Sequence, residues 1–206
     1  MVRRLVATLT TIVLLPCASA TAQVATSQSR TTHLAKECEK AAKIVEKGKP
    51  DKKELGAWEF LWRCGSAAGP AAAAGIRAMR TETEFEVLSR TMPMIWYFLD
   101  PEVLQAQLDV ANDRSATPLA RVFAVRGLGS FVTSPELVVD FDELMTLADD
   151  CGLGRMTHGQ VRQGGSLPSD YEARVIAALE RLAWDASAPS SVRSAAKCMT
   201  QASRLR

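Results

Sequence analysis

The chain has 206 residues, of which 47% are hydrophobic, 6% aromatic and 23% charged. That length supports one domain with a real core, and an alanine-rich, aromatic-poor composition suits close-packed helices better than a sheet. Arg3 and Arg4 are the only charged residues among the first twenty; without them the 25 basic residues fall to 23 and match the 23 acidic ones, which leaves no strong field to attract nucleic acid or an acidic membrane.

Residues 1–20 read as an export signal. Arg3-Arg4 is a positive start, Leu5 to Leu15 is an apolar run of eleven residues, Pro16 breaks it, and Ala18-Ser19-Ala20 is a small-residue cleavage site. Ala20-Thr21-Ala22 offers a second, so cleavage falls after Ala20 or Ala22. The run is too short to span a bilayer, which takes about twenty residues. Pro16 directly before Cys17 argues against a lipid-anchored cysteine. The mature chain is therefore expected outside the cytosol, periplasmic or extracellular, with no membrane attachment. Residues 21–32 are polar and read as a disordered lead-in, and 33–206 as a single helical domain.

Nine helices are predicted and no sheet, since no segment alternates polar and apolar residues over strand length. The first, 33–47, is highly charged and stops at Gly48. The second opens at Asp51 with Glu54 as capping-box partner, runs to about Arg63, and turns Leu55, Trp58, Leu61 and Trp62 to one side; paired tryptophans at this spacing are core far more often than a ligand platform. The third opens at Gly69-Pro70 and points Ala73, Ile76 and Met79 inward. The fourth opens near Thr81 or Thr83, with Glu84 or Glu86 as box partner, and is broken or kinked by Pro93. Asp100-Pro101 opens the fifth, with Asp as cap and Pro at the first helical position; Leu104, Leu108 and Ala111 recur at helical spacing. After the polar turn 112–115, Thr117-Pro118 opens the sixth, whose Ala124, Val125, Leu128, Phe131 and Val132 share one face. The seventh spans 134–150. The eighth opens at Ser169 with Glu172 as box partner and turns Tyr171, Val175, Ile176, Leu179 and Leu182 inward. The ninth opens near Ala188-Pro189 and buries Val192, Ala195, Ala196 and Met199.

The mature chain keeps Cys38, Cys64, Cys151 and Cys198. An even number in an exported protein makes disulfides plausible. Cys38 on the first helix and Cys64 near the end of the second sit at similar distances from the turn at Pro50, so an antiparallel hairpin brings them side by side. The preferred pairing is Cys38–Cys64 with Cys151–Cys198; four buried free thiols are the alternative. With no C-x-x-C pair and only His33 and His158 as histidines, no metal site is expected.

Pro70, Pro118 and Pro189 are each followed by small or apolar residues at helical spacing and by a basic residue on the far side: Arg77, Arg126 and Lys197. The first two prolines are 48 positions apart and the next two 71; the first spacing is close to one helical-repeat unit. Thr117-Pro118-x-x-Arg121-Val122-x-Ala124-Val125-x-x-Leu128 resembles the second helix of a HEAT repeat. Pro189-x-x-Val192-Arg193-x-x-Ala196-x-x-Met199, preceded by Asp185, looks like another copy. Asp113 and Arg121 stand near the Asp and Arg that such units tend to carry. The resemblance covers about 100–132 and 170–204 and is weaker over 52–98. It implies a right-handed α-α superhelix of helical hairpins, usually a non-catalytic binding scaffold, and carries over no catalytic residue or cofactor.

The one long irregular stretch is 151–168, with five glycines, Arg155, His158 and Arg162. It lacks the preceding strand and the Lys-Ser or Lys-Thr of a phosphate-binding loop. A metal site from Cys151, His158 and Asp149 or Asp150 lacks ligand spacing, and a nucleophilic Cys151 with His158 as base would be abolished by a disulfide. A surface loop tethered at Cys151 is the simplest reading; Arg155, His158 and Arg162 are the candidates for partner contact. Charged stretches such as 36–53 mix both signs and read as solvated helix faces. The sequence thus points to an exported, non-enzymatic scaffold without cofactor that binds an unidentified protein or peptide. The rival is an exported enzyme or metal-binding protein centred on Cys151 and His158.

Overall fold

The computed structural model describes residues 33–48, 54–95, 98–132 and 167–204. The described residues are mostly helical and contain no β-strand, as the all-α expectation requires. They form α1 (33–45), α2 (Leu55–Leu61), α3 (Gly69–Ala78), α4 (Phe85–Ile95), α5 (Pro101–Asn112), α6 (Pro118–Val132), α7 (Tyr171–Trp184) and α8 (Ser190–Ser203). The helix expected over 134–150 and residues 151–166 of the long loop lie outside the described residues, as does the export signal.

Local chemistry accounts for most of the boundaries. Asp100 caps α5: its Oδ1 accepts the Glu102 N–H at 2.8 Å, and Pro101 follows at the first helical position. The hydroxyl of Thr117 caps α6 by accepting the Ala120 N–H at 3.1 Å. Some boundaries differ from expectation. The second helix gives way after Leu61 to a 3-10 segment, Trp62–Ala68, where Gly65 takes a positive φ of 65°. The turn before α4 is closed by Glu82 rather than by a threonine: its Oε1 accepts the N–H groups of Thr83 and Glu84 at 2.7 and 2.8 Å. α7 begins at Tyr171, after a turn at 169–170 in which Asp170 makes no side-chain cap. α4 continues through Pro93 as far as Ile95, beyond which 96 and 97 lie outside the described residues.

Apolar burial holds the helices together. α3 packs on α5 and α5 on α7; α4 packs on α6 and α6 on α8. Consecutive helices also pack, α5 on α6 and α7 on α8, so the described helices from α3 onward fall in two rows. The faces expected to be apolar are buried: Trp58, Ile76, Leu104, Leu128, Val175, Leu179 and Met199 are each 1% exposed or less, and hiding one leucine-sized side chain contributes about 2 kcal/mol. Tyr171, Ile176 and Ala195 are only half-buried.

α6 departs most from the one-faced helix that its spacing predicts. From Ala120 to Val132 every residue except Arg126 is buried, because α4, α5, α7 and α8 all touch it. Two glycines allow this. A Cβ on Gly127 would lie 2.6 Å from the Gln107 amide nitrogen on α5, and one on Gly129 would meet the Met199 sulfur on α8.

At the N-terminal end, Cys38 of α1 is bonded to Cys64, with 5.7 Å between their α-carbons. This is the expected first pairing; the turn expected at Pro50 lies outside the described residues. α1 buries Ala41 and Val45, and Val45 packs with Trp58 around Gly75 of α3. Cys198 is disulfide-bonded as well; Cys151, its expected partner, lies outside the described residues.

Candidate functional site

Arg155, His158 and Arg162, the candidates for partner contact, lie outside the described residues. Polar side chains are instead organised along two features of the described chain: the turns between paired helices and the outer face of α5.

The same turn closes α5 and α7. Asp113 Oδ1 accepts the Ser115 N–H and hydroxyl at 2.8 and 2.7 Å. Asp185, 72 positions on, accepts the Ser187 N–H and hydroxyl at 2.9 and 2.6 Å. Both are the side-chain-capped turns that a short Asp makes with a residue two positions on. These bonds hold both carboxyls below the usual aspartate range, the serine hydroxyl being the largest cause in each. Eight positions after each Asp stands an arginine. Arg121, 4% exposed, donates from Nε to the Ala111 carbonyl at 3.0 Å, one of the last carbonyls of α5. Arg193 donates to the Ala188 carbonyl within its own turn. Burial lowers the Arg121 guanidinium from the ordinary arginine value, and the Asp185 carboxylate opposes that shift. The turn before α4 joins the same edge, because Thr117 donates its hydroxyl to the Glu82 carbonyl at 2.6 Å and its N–H to the Arg80 carbonyl at 2.9 Å.

On α5, Gln105, Asp109 and Asn112 fall at i, i+4 and i+7 and so share one face. Asp109 accepts from Arg77 of α3 at 3.1 Å and from Gln105 Nε2 at 2.8 Å. From the other side, Arg174 of α7 donates to Gln105 Oε1 at 2.9 Å and Arg181 to Asn112 Oδ1 at 3.2 Å. Between α5 and α7 lies a groove of about 710 Å³, floored by Leu108 and Ala178 and edged by these polar side chains.

Two cations expected on far sides of their helices are tied down. Arg126 is half-buried over the Phe123 ring at 5.6 Å, its Nε buried without a hydrogen-bond partner among the described residues, and burial lowers its guanidinium. Lys197 Nζ lies 4.8 Å from the centroid of the exposed Trp184 ring.

No family model, no curated protein and no solved structure matches the chain. Among the described residues, no three His, Cys, Asp or Glu side chains come together to hold a metal, and no helix is long and apolar enough to cross a membrane. Of these side chains, Arg77 and Arg121 stand out in the sequence by their place after Pro70 and Pro118, whereas Gln105, Asp109, Arg174 and Arg181 do not. The signal was present in the spacing: 105, 109 and 112 on α5 and 174 and 181 on α7 are polar positions opposite apolar faces. Such stripes read as solvated surface until the helix that faces them is known.

Proposed function

We propose that the mature chain is an exported, non-catalytic scaffold, a HEAT-like superhelix that binds a protein or peptide partner along one face. The observation that carries this reading is the repeated Asp-x-Ser-Ala turn with its arginine at a fixed register, at 113–121 and again at 185–193. A turn repeated in sequence and geometry between stacked helix pairs is the signature of an array, in which each unit contacts its neighbours and together they present an extended surface. The Cys38–Cys64 bond fits an oxidising compartment.

The test places a photo-crosslinking side chain at Gln105, on the row of α3, α5 and α7, or at Arg126, on the row of α4, α6 and α8, and exposes the mature chain to the proteins of its own exported fraction. A discrete product from one row and not the other is expected. Absence of any product from either position overturns the scaffold reading. A small-angle scattering profile of the mature chain tests the curved stack separately.

A further inference from the structure

Resting on the scaffold reading, we propose that the groove between α5 and α7 receives an extended acidic peptide segment, with Arg174 and Arg181 taking its carboxylates. Two arginines, Arg174 and Arg181, and two carboxylates, Asp109 and Asp113, line the groove, and both carboxylates are already engaged. Asp109 is engaged by Arg77, and Asp113 by Ser115 with Arg80 at 3.8 Å. Arg174 and Arg181 are left with neutral amide oxygens, those of Gln105 and Asn112. Arg174 and Arg181 are therefore the two charged groups of the groove lining that no carboxylate matches. Exchanging an amide oxygen for a carboxylate adds ion-pair attraction and a two-point fork to a bond that the guanidinium charge already assists.

The spacing selects the form of the ligand. Arg174 and Arg181 are seven residues apart on α7, which is about 10.5 Å along the helix axis. The Arg174–Gln105 and Arg181–Asn112 bonds cross from α7 to α5, so a slender extended chain needs to displace fewer of these side chains than a helix, which is about 10–12 Å across with its side chains. An extended chain fits. In a polyproline II segment every third side chain points the same way, about 9 Å apart at a rise near 3.1 Å per residue, which long glutamate and arginine side chains can match. The apolar floor of Leu108 and Ala178 suits proline or aliphatic residues between the acids.

The test measures fluorescence anisotropy of labelled (Glu-Pro-Pro)4 titrated with the mature chain. Saturable binding that weakens as salt is raised is expected. Binding should fall at least tenfold for (Gln-Pro-Pro)4, and at least tenfold for the R174E/R181E and R174Q/R181Q variants, whose melting curves check folding. Lys40→Glu, a charge reversal on exposed α1, should leave binding unchanged. Equal binding by the glutamine peptide, or no effect of either double variant, overturns the proposal, as does no binding at all. Tighter binding of a single-stranded oligonucleotide, or of an alanine-rich helix with glutamates seven apart, overturns the occupant. If the probe fails while the row-specific crosslink still forms, the groove is wrong and the scaffold stands; if the crosslink fails too, both fall.

Discussion

The sulfur of Met199 on α8 occupies the space where Gly129 of α6 would carry a Cβ. Both sit in the core, Met199 at 0% exposure, so neither can yield to the other without disturbing neighbours. Gly129→Ala is expected to cost about 1–2 kcal/mol in urea denaturation: overpacking costs about 1–3 kcal/mol, and the better helix propensity of alanine returns at most about 1. Gly56, exposed on α2 with nothing within 4 Å of its would-be Cβ, is the control. Gly56→Ala should stabilise by about 0.5–1 kcal/mol. Equal effects at the two positions would mean that α6 and α8 are not in close contact.

Gln107 offers a gain in stability. It is 0% exposed, and neither amide atom finds a hydrogen-bond partner among the described residues. An unsatisfied buried polar group costs about 1–3 kcal/mol. Gln107→Met keeps the length of the side chain and removes both orphans, so unfolding free energy should rise by about 1–2 kcal/mol. A loss instead would show that water bridges the amide.

The paired turns predict acid sensitivity. The folded-state pKa values of Asp113 and Asp185 lie below the usual one, so their stabilising contribution is complete above the unfolded value near about 3.9. It is lost as pH falls through the folded values, because the unfolded chain then binds the protons more readily. Asparagine keeps an oxygen for the serine bonds but cannot titrate. Asp113→Asn with Asp185→Asn should therefore melt lower than the parent at neutral pH and lose less stability on acidification to about pH 3. Parallel melting curves across that range would contradict it.

Cys38–Cys64 closes a segment of 26 positions. The chain-entropy account gives about 3.5 kcal/mol for a loop of that size. Cys38→Ser with Cys64→Ser should lower stability by about that amount, and the first amides to lose hydrogen-exchange protection should be those of α1, which buries only Ala41 and Val45. Protection lost evenly through α5 and α6 would instead mean that the bond holds the whole core.

The Asp100-Pro101 and Thr117-Pro118 starts, the apolar faces of α5 and α6, and the nearness of Cys38 to Cys64 were all legible in the chain itself. Each rests on interactions within a few residues or across one short hairpin, and caps and periodicity encode those directly. Three features came only with the tertiary structure: the burial of α6 on nearly every side, the bond from Thr117 to the Glu82 carbonyl across 35 positions, and the meeting of Arg174 with Gln105 across 69 positions. Helical spacing states which side chains share a face, but what that face meets depends on how distant helices stack. For that reason the stripe of Gln105, Asp109 and Asn112 acquires its partners only where α3 and α7 lie beside α5.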